Sequence, residues 1–148
     1  MGICMKCLAA LALVFLLVSI PAALGQSPSE TCKSDDSAKI IQIDERNERA
    51  FVVTSPDRIN TVVKARKVLL SLQETLKQCR PNWGHMWSVS FFSDPKYAGY
   101  KHDENMKPFV RDGSWSRAYL GEYERVEGKL TLHPADPNRL KFLRVPLR

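Results

Sequence analysis

The sequence predicts an α+β fold: one long helix packed on a mainly antiparallel twisted sheet, in the order β-β-α-β-β-β-β, with one disulfide. Three observations lead there. Two short β-branched and aromatic runs precede a single helix-spaced segment. Alternating runs separated by turn-rich stretches follow it. Two widely spaced cysteines remain once the N-terminal segment is set aside.

That N-terminal segment, residues 1–25, reads MGICMKCLAALALVFLLVSIPAALG and has the form of a signal peptide. Lys6 supplies a short positive region, residues 8–20 are uncharged and apolar, and Pro21 ends any helix. Ala23 and Gly25 put small residues where a signal peptidase reads, so cleavage is expected before Gln26. The apolar run falls short of the roughly 20 residues of a spanning helix. Lys6 stands where a myristoylation motif requires Ser or Thr. No cysteine follows the cleavage point to carry a lipid. The expectation is export to the periplasm or the extracellular space, with no stable membrane insertion after cleavage.

Residues 26–37, QSPSETCKSDDS, form a polar leader, and residues 38–148 a single α+β domain. Cys4 and Cys7 leave with the signal, so Cys32 and Cys79 pair in an oxidising compartment. The bond pins the leader to the helix end and is worth about 4 kcal/mol on loop-entropy grounds. A zinc site is improbable from two cysteines with no CxxC and no compact histidine spacing.

AKIIQI (38–43) and AFVVTS (50–55) read as strands joined by a turn near Arg46 and Asn47. Ser55-Pro56-Asp57 carries a helix-start signature: a capping serine, a proline suited to the first turn and an acid at the positive end of the dipole. Apolar positions at Ile59, Val62, Val63, Leu69, Leu70 and Leu76 continue the helix to Cys79, where Pro81 stops it. Its length would be about 34 Å. Arg66 falls inside that apolar face, so its stem either snorkels past the sheet or pairs with Asp94, Glu122 or Glu124.

HMWSVSFFS (85–93) alternates, with Trp87, Val89 and Phe91 on a core face. Residues 93–96 are a turn by composition, YAGYK (97–101) is a candidate returning strand, and residues 101–116 read as a long loop. RAYLGEYE and KLTLHP flank Val126-Glu127-Gly128 as a hairpin. Residues 135–138 turn the chain again, and LKFLRVPL closes the sheet, with Pro146 marking an edge or an end.

Known catalytic motifs are missing from the sequence. His85, His102 and His133 stand in no metal spacing, and neither GxSxG nor a glycine-rich phosphate loop occurs. No catalytic residue, metal or cofactor is therefore assigned. Six residues are candidates for binding: Tyr97, Tyr100, His102, Trp115, Arg117 and Arg66. Tyrosine, tryptophan and arginine are the side chains that dominate interface hot spots. Trp115 has two readings, a plug over the sheet end or an exposed anchor.

With the one lysine of the signal removed from 22 basic residues, 21 face 16 acidic ones, a net charge of +5. That charge favours anionic surfaces but lacks the dense basic stripe of a specific nucleic-acid binder. The functional expectation is a small exported binding protein without catalysis, with a protein partner, in one form an inhibitor of an envelope or extracellular enzyme. Two other classes compete. One is a hydrolase or lyase using His102 with Asp103 or Glu104. The other is a binder of polyanions or envelope polymers through Lys141, Arg144, Arg148 and the helix bases. A signal, one disulfide and a basic α+β domain occur in many small exported proteins, some of them inhibitors or immunity proteins for hydrolases, a likeness of size and fold only.

Overall fold

The computed structural model describes Cys32, Ser34, residues 36–133 and residues 140–147. The signal segment, most of the leader, the turn at 135–138 and Arg148 lie outside the described residues. Six strands form one mixed sheet in sequential order: β1 (Lys39–Asp44), β2 (Arg49–Val53), β3 (Ser88–Phe92), β4 (Tyr119–Glu124), β5 (Lys129–Leu132) and β6 (Lys141–Arg144).

β1 and β2 form a hairpin. The Asp44 carboxylate accepts from the Arg46 and Asn47 amides at 3.0 and 3.2 Å, which folds the polar stretch between the strands into a turn. β2 and β3 pair in parallel, the one parallel pair among otherwise antiparallel neighbours. A helix joins these two strands, and a helical crossover returns the chain to the same end of the sheet.

That helix, α1, spans Val62–Cys79 and is shorter than the start signature implied. Ser55 makes no side-chain cap bond, and Pro56–Arg58 is a single 3-10 turn. The chain then bends so that Ile59 enters the core. Thr61 starts the helix afresh by accepting from the Lys64 amide. The fresh start also rotates the buried face. Ala65, Val68, Leu69, Leu72, Gln73 and Leu76 face inward, while Val62, Val63 and Leu70 are exposed, Val63 at 80%. Arg66 therefore lies on the exposed side of α1, outside the apolar stripe.

α1 packs on one face of the sheet, against Ile40, Ile43, Ala50, Val52, Val89, Phe91, Tyr123 and Leu130. Cys32 and Cys79 form the disulfide with their Cα atoms 5.4 Å apart, closing a sequence separation of 47. Arg80 donates to the Cys79 carbonyl and pairs with Glu45, and the Trp83 indole donates to the same carboxylate at 3.1 Å.

Residues 93–118 close part of the other face and depart furthest from the sequence reading. The segment expected as a returning strand and a loop contains no strand. Asp94 caps a 3-10 turn at Pro95–Tyr97, a second 3-10 turn follows at Glu104–Met106, and two five-residue helices complete it: α2 (Lys107–Arg111) and α3 (Ser114–Ala118). Phe51, Phe92, Ala98 and Trp115 form a second apolar cluster beneath it, joined by Tyr97, Tyr100, Met106, Phe109 and Tyr119. β3 is buried along its whole length, between flanking strands on both sides.

β4 enters its hairpin through Gly121, whose φ of 149° no bulky residue adopts readily. A Cβ there would meet the Thr131 carbonyl oxygen at 2.2 Å. β6 is the last strand of the sheet. Beyond it, the Tyr123 hydroxyl donates to the Val145 carbonyl at 2.9 Å and ties the chain end to the core. Among the described residues no helix is long and apolar enough to cross a membrane.

Candidate functional site

Strand alternation sends Ala50 and Val52 toward α1 and leaves Arg49 and Phe51 on the opposite face. The register then aligns Arg49 with Ser88 and Ser88 with Glu124, and it sets Ser90 beside Glu122. Glu122 and Glu124 alternate with Gly121 and Tyr123, so both carboxylates join Arg49 on the same face. Residues 93–118 cover Phe51 and Phe92 there, but the row through Arg49 lies beyond the aromatic cluster.

The Arg49 guanidinium is the hub of this row. Its Nη1 donates to Ser90 Oγ at 3.0 Å and to Glu122 Oε2 at 3.2 Å, and its Nη2 donates to Glu124 Oε1 at 2.9 Å. Its side chain keeps 20% of its surface, against 37% and 38% for the two glutamates. Burial works against the Arg49 charge, but the Glu122 hydrogen bond and the Glu124 charge outweigh it and hold the guanidinium above its usual range. Two carboxylates share one cation. Glu124 is accordingly raised, first by burial and then by the neighbouring Glu122 charge, with Arg49 only partly offsetting them.

A polar aromatic rim borders the hub. The Tyr100 hydroxyl donates to Asp44 Oδ2 at 2.7 Å, and Asn47 Nδ2 donates to the same carboxylate oxygen at 2.7 Å. Partial burial works to raise the Asp44 carboxyl, but these bonds and the Arg46 and Asn47 amides outweigh it and hold it below its usual value. Tyr100 is pushed up by burial and by that same carboxylate. The His102 ring stacks on Tyr100 with centroids 4.9 Å apart. Toward residues 93–118, Tyr119 stacks on Trp115 at 4.8 Å, and burial raises its hydroxyl pKa strongly. Toward β6, Lys129 lies 5.5 Å from the centre of the exposed Phe142 ring.

The structure gathers four of the six candidate residues around the second apolar cluster, Tyr97, Tyr100 and Trp115 within it and His102 stacked on Tyr100, but sets only Tyr100 and His102 at the border of the Arg49 row. Tyr97 packs edge-on against Phe109 under Lys96, within residues 93–118. Trp115 is buried and donates its indole N–H to the Gly99 carbonyl at 3.1 Å, so of its two readings the plug is the one observed. Arg117 is exposed and donates to Ser114 Oγ and the Asp112 carbonyl, bonds that stay within its own segment. Arg66 sits on α1, across the sheet from the others, and its expected acids are engaged elsewhere: Glu122 and Glu124 by Arg49, Asp94 by the Lys96 amide.

His102 is exposed, and among the described residues it makes no hydrogen bond to Asp103 or Glu104. Glu104 pairs with Lys107. No group of three or more histidine, cysteine or acidic side chains among the described residues could hold a metal ion.

Arg49, Ser90, Glu122, Glu124 and Asp44 were not singled out from the sequence as a group. One signal was legible: Glu122 and Glu124 two apart in a strand must share a face. Arg49 could be added only with the strand order, which brings β2, β3 and β4 side by side. A separate shallow hollow of about 470 Å³ lies at the C-terminal ends of β2 and β3, lined by Lys39, Arg58, Ser55 and Ser93 among others. Its charges are mixed, with Asp36 beside the two cations, and it shares no residue with the Arg49 row. The chain matches no family model, and no curated protein or solved structure is significantly similar to it.

Proposed function

We propose that this chain is an exported, non-catalytic binding protein whose recognition face is the uncovered half of the sheet around Arg49. An inhibitor of an extracellular or envelope enzyme is the specific form we favour. The observation that carries the reading is the Arg49–Glu122–Glu124 fork rimmed by Tyr100 and His102. Arginine and tyrosine side chains held in place at the edge of an apolar cluster are the pattern of an interface hot spot. Their partners hold them in one arrangement, which lowers the ordering cost of binding. A cystine packed into the core and an apolar N-terminal segment support an oxidising destination.

The test is affinity capture from envelope and secreted fractions, run in parallel with the wild-type chain and with Arg49→Met. A stoichiometric partner held by the wild type and lost by the variant, with both proteins folded, is the expected outcome. Equal capture by both would remove the Arg49 face from the interface. Recovery of no partner, together with turnover of a small substrate, would end the binding reading itself.

A further inference from the structure

The two edges of the sheet are finished differently. On β1 a bulge between Ile40 and Gln42 breaks the ladder, the Ile40 amide is taken by Ser34 Oγ at 3.0 Å, and the disulfide holds Cys32 nearby in the core. Bulges and covering segments are the usual protections of an edge. β6 has neither. It pairs regularly with β5, and among the described residues its backbone bonds to no further segment.

The side chains of that edge are also unlike a purely protective set. Phe142 is 59% exposed and Leu140 43%, and alternation puts both on the face that carries Arg49. Arg144 joins them there and has no hydrogen-bond or ionic partner among the described residues. Lys141, on the other face, spends one bond on the Asn60 carbonyl and pairs with no acid among the described residues. Protective edges carry charge, but they do not need an exposed phenylalanine beside it.

We infer that β6 accepts an extended acidic segment of a partner protein as a seventh strand. Backbone hydrogen bonds along the open edge would supply affinity, and the side chains would supply selection. Paired antiparallel, the incoming strand places an apolar residue against Phe142. It places one acid two positions before that residue, against Arg144, and another one position after it, against Lys141. A second copy of this chain fits poorly, because it would bring a basic edge against a basic edge in a protein of net charge +6. This inference stands on the β6 edge alone and does not depend on the Arg49 face.

The probe is a blocked peptide with the central sequence Glu-Val-Phe-Asp, tested against the same peptide with lysine in place of both acids. Hydrogen exchange of the β6 amides is the readout. With the acidic peptide, exchange at residues 141–144 slows, the effect weakens with salt, and N-methylation of the peptide backbone abolishes it. Arg144→Glu and Phe142→Ala, both surface changes, each weaken binding by roughly fivefold, while Val63→Ala, an exposed change on α1, leaves it unchanged.

Three outcomes overturn the inference. One is no slowing at about 1 mM peptide, a weak-binding limit. Another is equal slowing with the lysine peptide or with a sulfated polysaccharide, which would make the edge a general cation patch or a polyanion site. The third is slowing that grows with protein concentration in the absence of peptide, which would assign the edge to self-association.

Discussion

On the α1 side of the sheet, apolar contact is unbroken from Ile40 on β1 through Val89 and Tyr123 to Val145 beyond β6. On the far side it stops partway, at Phe51 and Phe92, and the next row is ionic, from Asp44 through Arg49 to Glu124. The first face is closed by one regular element and stapled by a disulfide. The second is closed by four short turns and helices that make mostly aromatic contacts. A face sealed by uniform apolar packing has one task, stability. A face whose cover ends over a row of charges leaves those charges available to something else, and that is why the candidate site belongs there. Changes on the first face should therefore move global stability, and changes on the second should move local order and binding.

The largest effect is expected on the α1 side. Replacing Cys32 and Cys79 together by Ser removes the closed loop of 47 and should destabilise the domain by about 4 kcal/mol. Unfolding should remain one cooperative transition, with a melting temperature lower by more than about 10 °C. Binding through the Arg49 face should persist below that temperature. A change of only a degree or two would show that the staple constrains little and that packing alone holds α1.

Next in size is Trp115→Ala, expected to cost about 3 kcal/mol through the lost aromatic volume. The loss should be local. Trp115 holds residues 93–118 by stacking on Tyr119, meeting Phe92 edge-on and donating to the Gly99 carbonyl. Hydrogen exchange should speed up in α2 and α3 while α1 keeps its protection. Uniform loss of protection across both faces would break the comparison, because it would mean that the cover and the α1 core fold as one unit.

The two faces were unequally legible for the same physical reason. The α1 side rests on long periodic signals: β-branched runs at 38–43 and 50–55, helix-spaced leucines and the cysteine pair. Even there the sequence misplaces the helix start, because Ser55-Pro56-Asp57 is a genuine local start signal that opens only a 3-10 turn, and Ile59 is buried before a second start at Thr61. The far side offers no such period. Helices of five residues are too short to show one, and Tyr97 and Tyr100 read as strand residues although their segment turns over the sheet instead. The parallel pairing of β2 and β3 follows from the helix between them, yet nothing in the composition of either strand announces it. Arg49 and Glu124 meet only through that pairing.

A smaller effect separates structure from function within the charged row. Arg49→Met should cost about 2 kcal/mol, because it leaves two half-exposed carboxylates without their shared cation. Changing all three, with Arg49→Met, Glu122→Gln and Glu124→Leu, should return stability to within about 1 kcal/mol of the wild type, since an ion cluster replaced as a whole by neutral side chains is often neutral in stability. Binding should not return with it. Recovery of partner capture in the stable triple variant would show that the charges serve the fold alone.

The smallest effect is at the rim, where pH distinguishes two carboxylates of the same face. Glu124 is raised above its ordinary 4.5, so folding favours its protonated form, and its contribution to stability is present in acid and is lost as pH rises through the folded value. Asp44 is held below its ordinary 3.8, so its contribution is present above that value and is lost as pH falls through the lower folded value. Acidification from neutral should therefore first favour the native state as Glu124 takes its proton, and then loosen the Tyr100 rim once Asp44 takes one. NMR titration of the two carboxyl carbons gives both midpoints, and the Tyr100 ring signals should follow only the lower one. Tyr100→Phe removes a hydrogen bond to a largely exposed carboxylate, so it should change stability by about 1 kcal/mol or less. It should raise the Asp44 midpoint toward its ordinary value and leave the Glu124 midpoint where it was. Movement of both midpoints together would mean that the rim and the Arg49 row act as one network rather than as two separate groups.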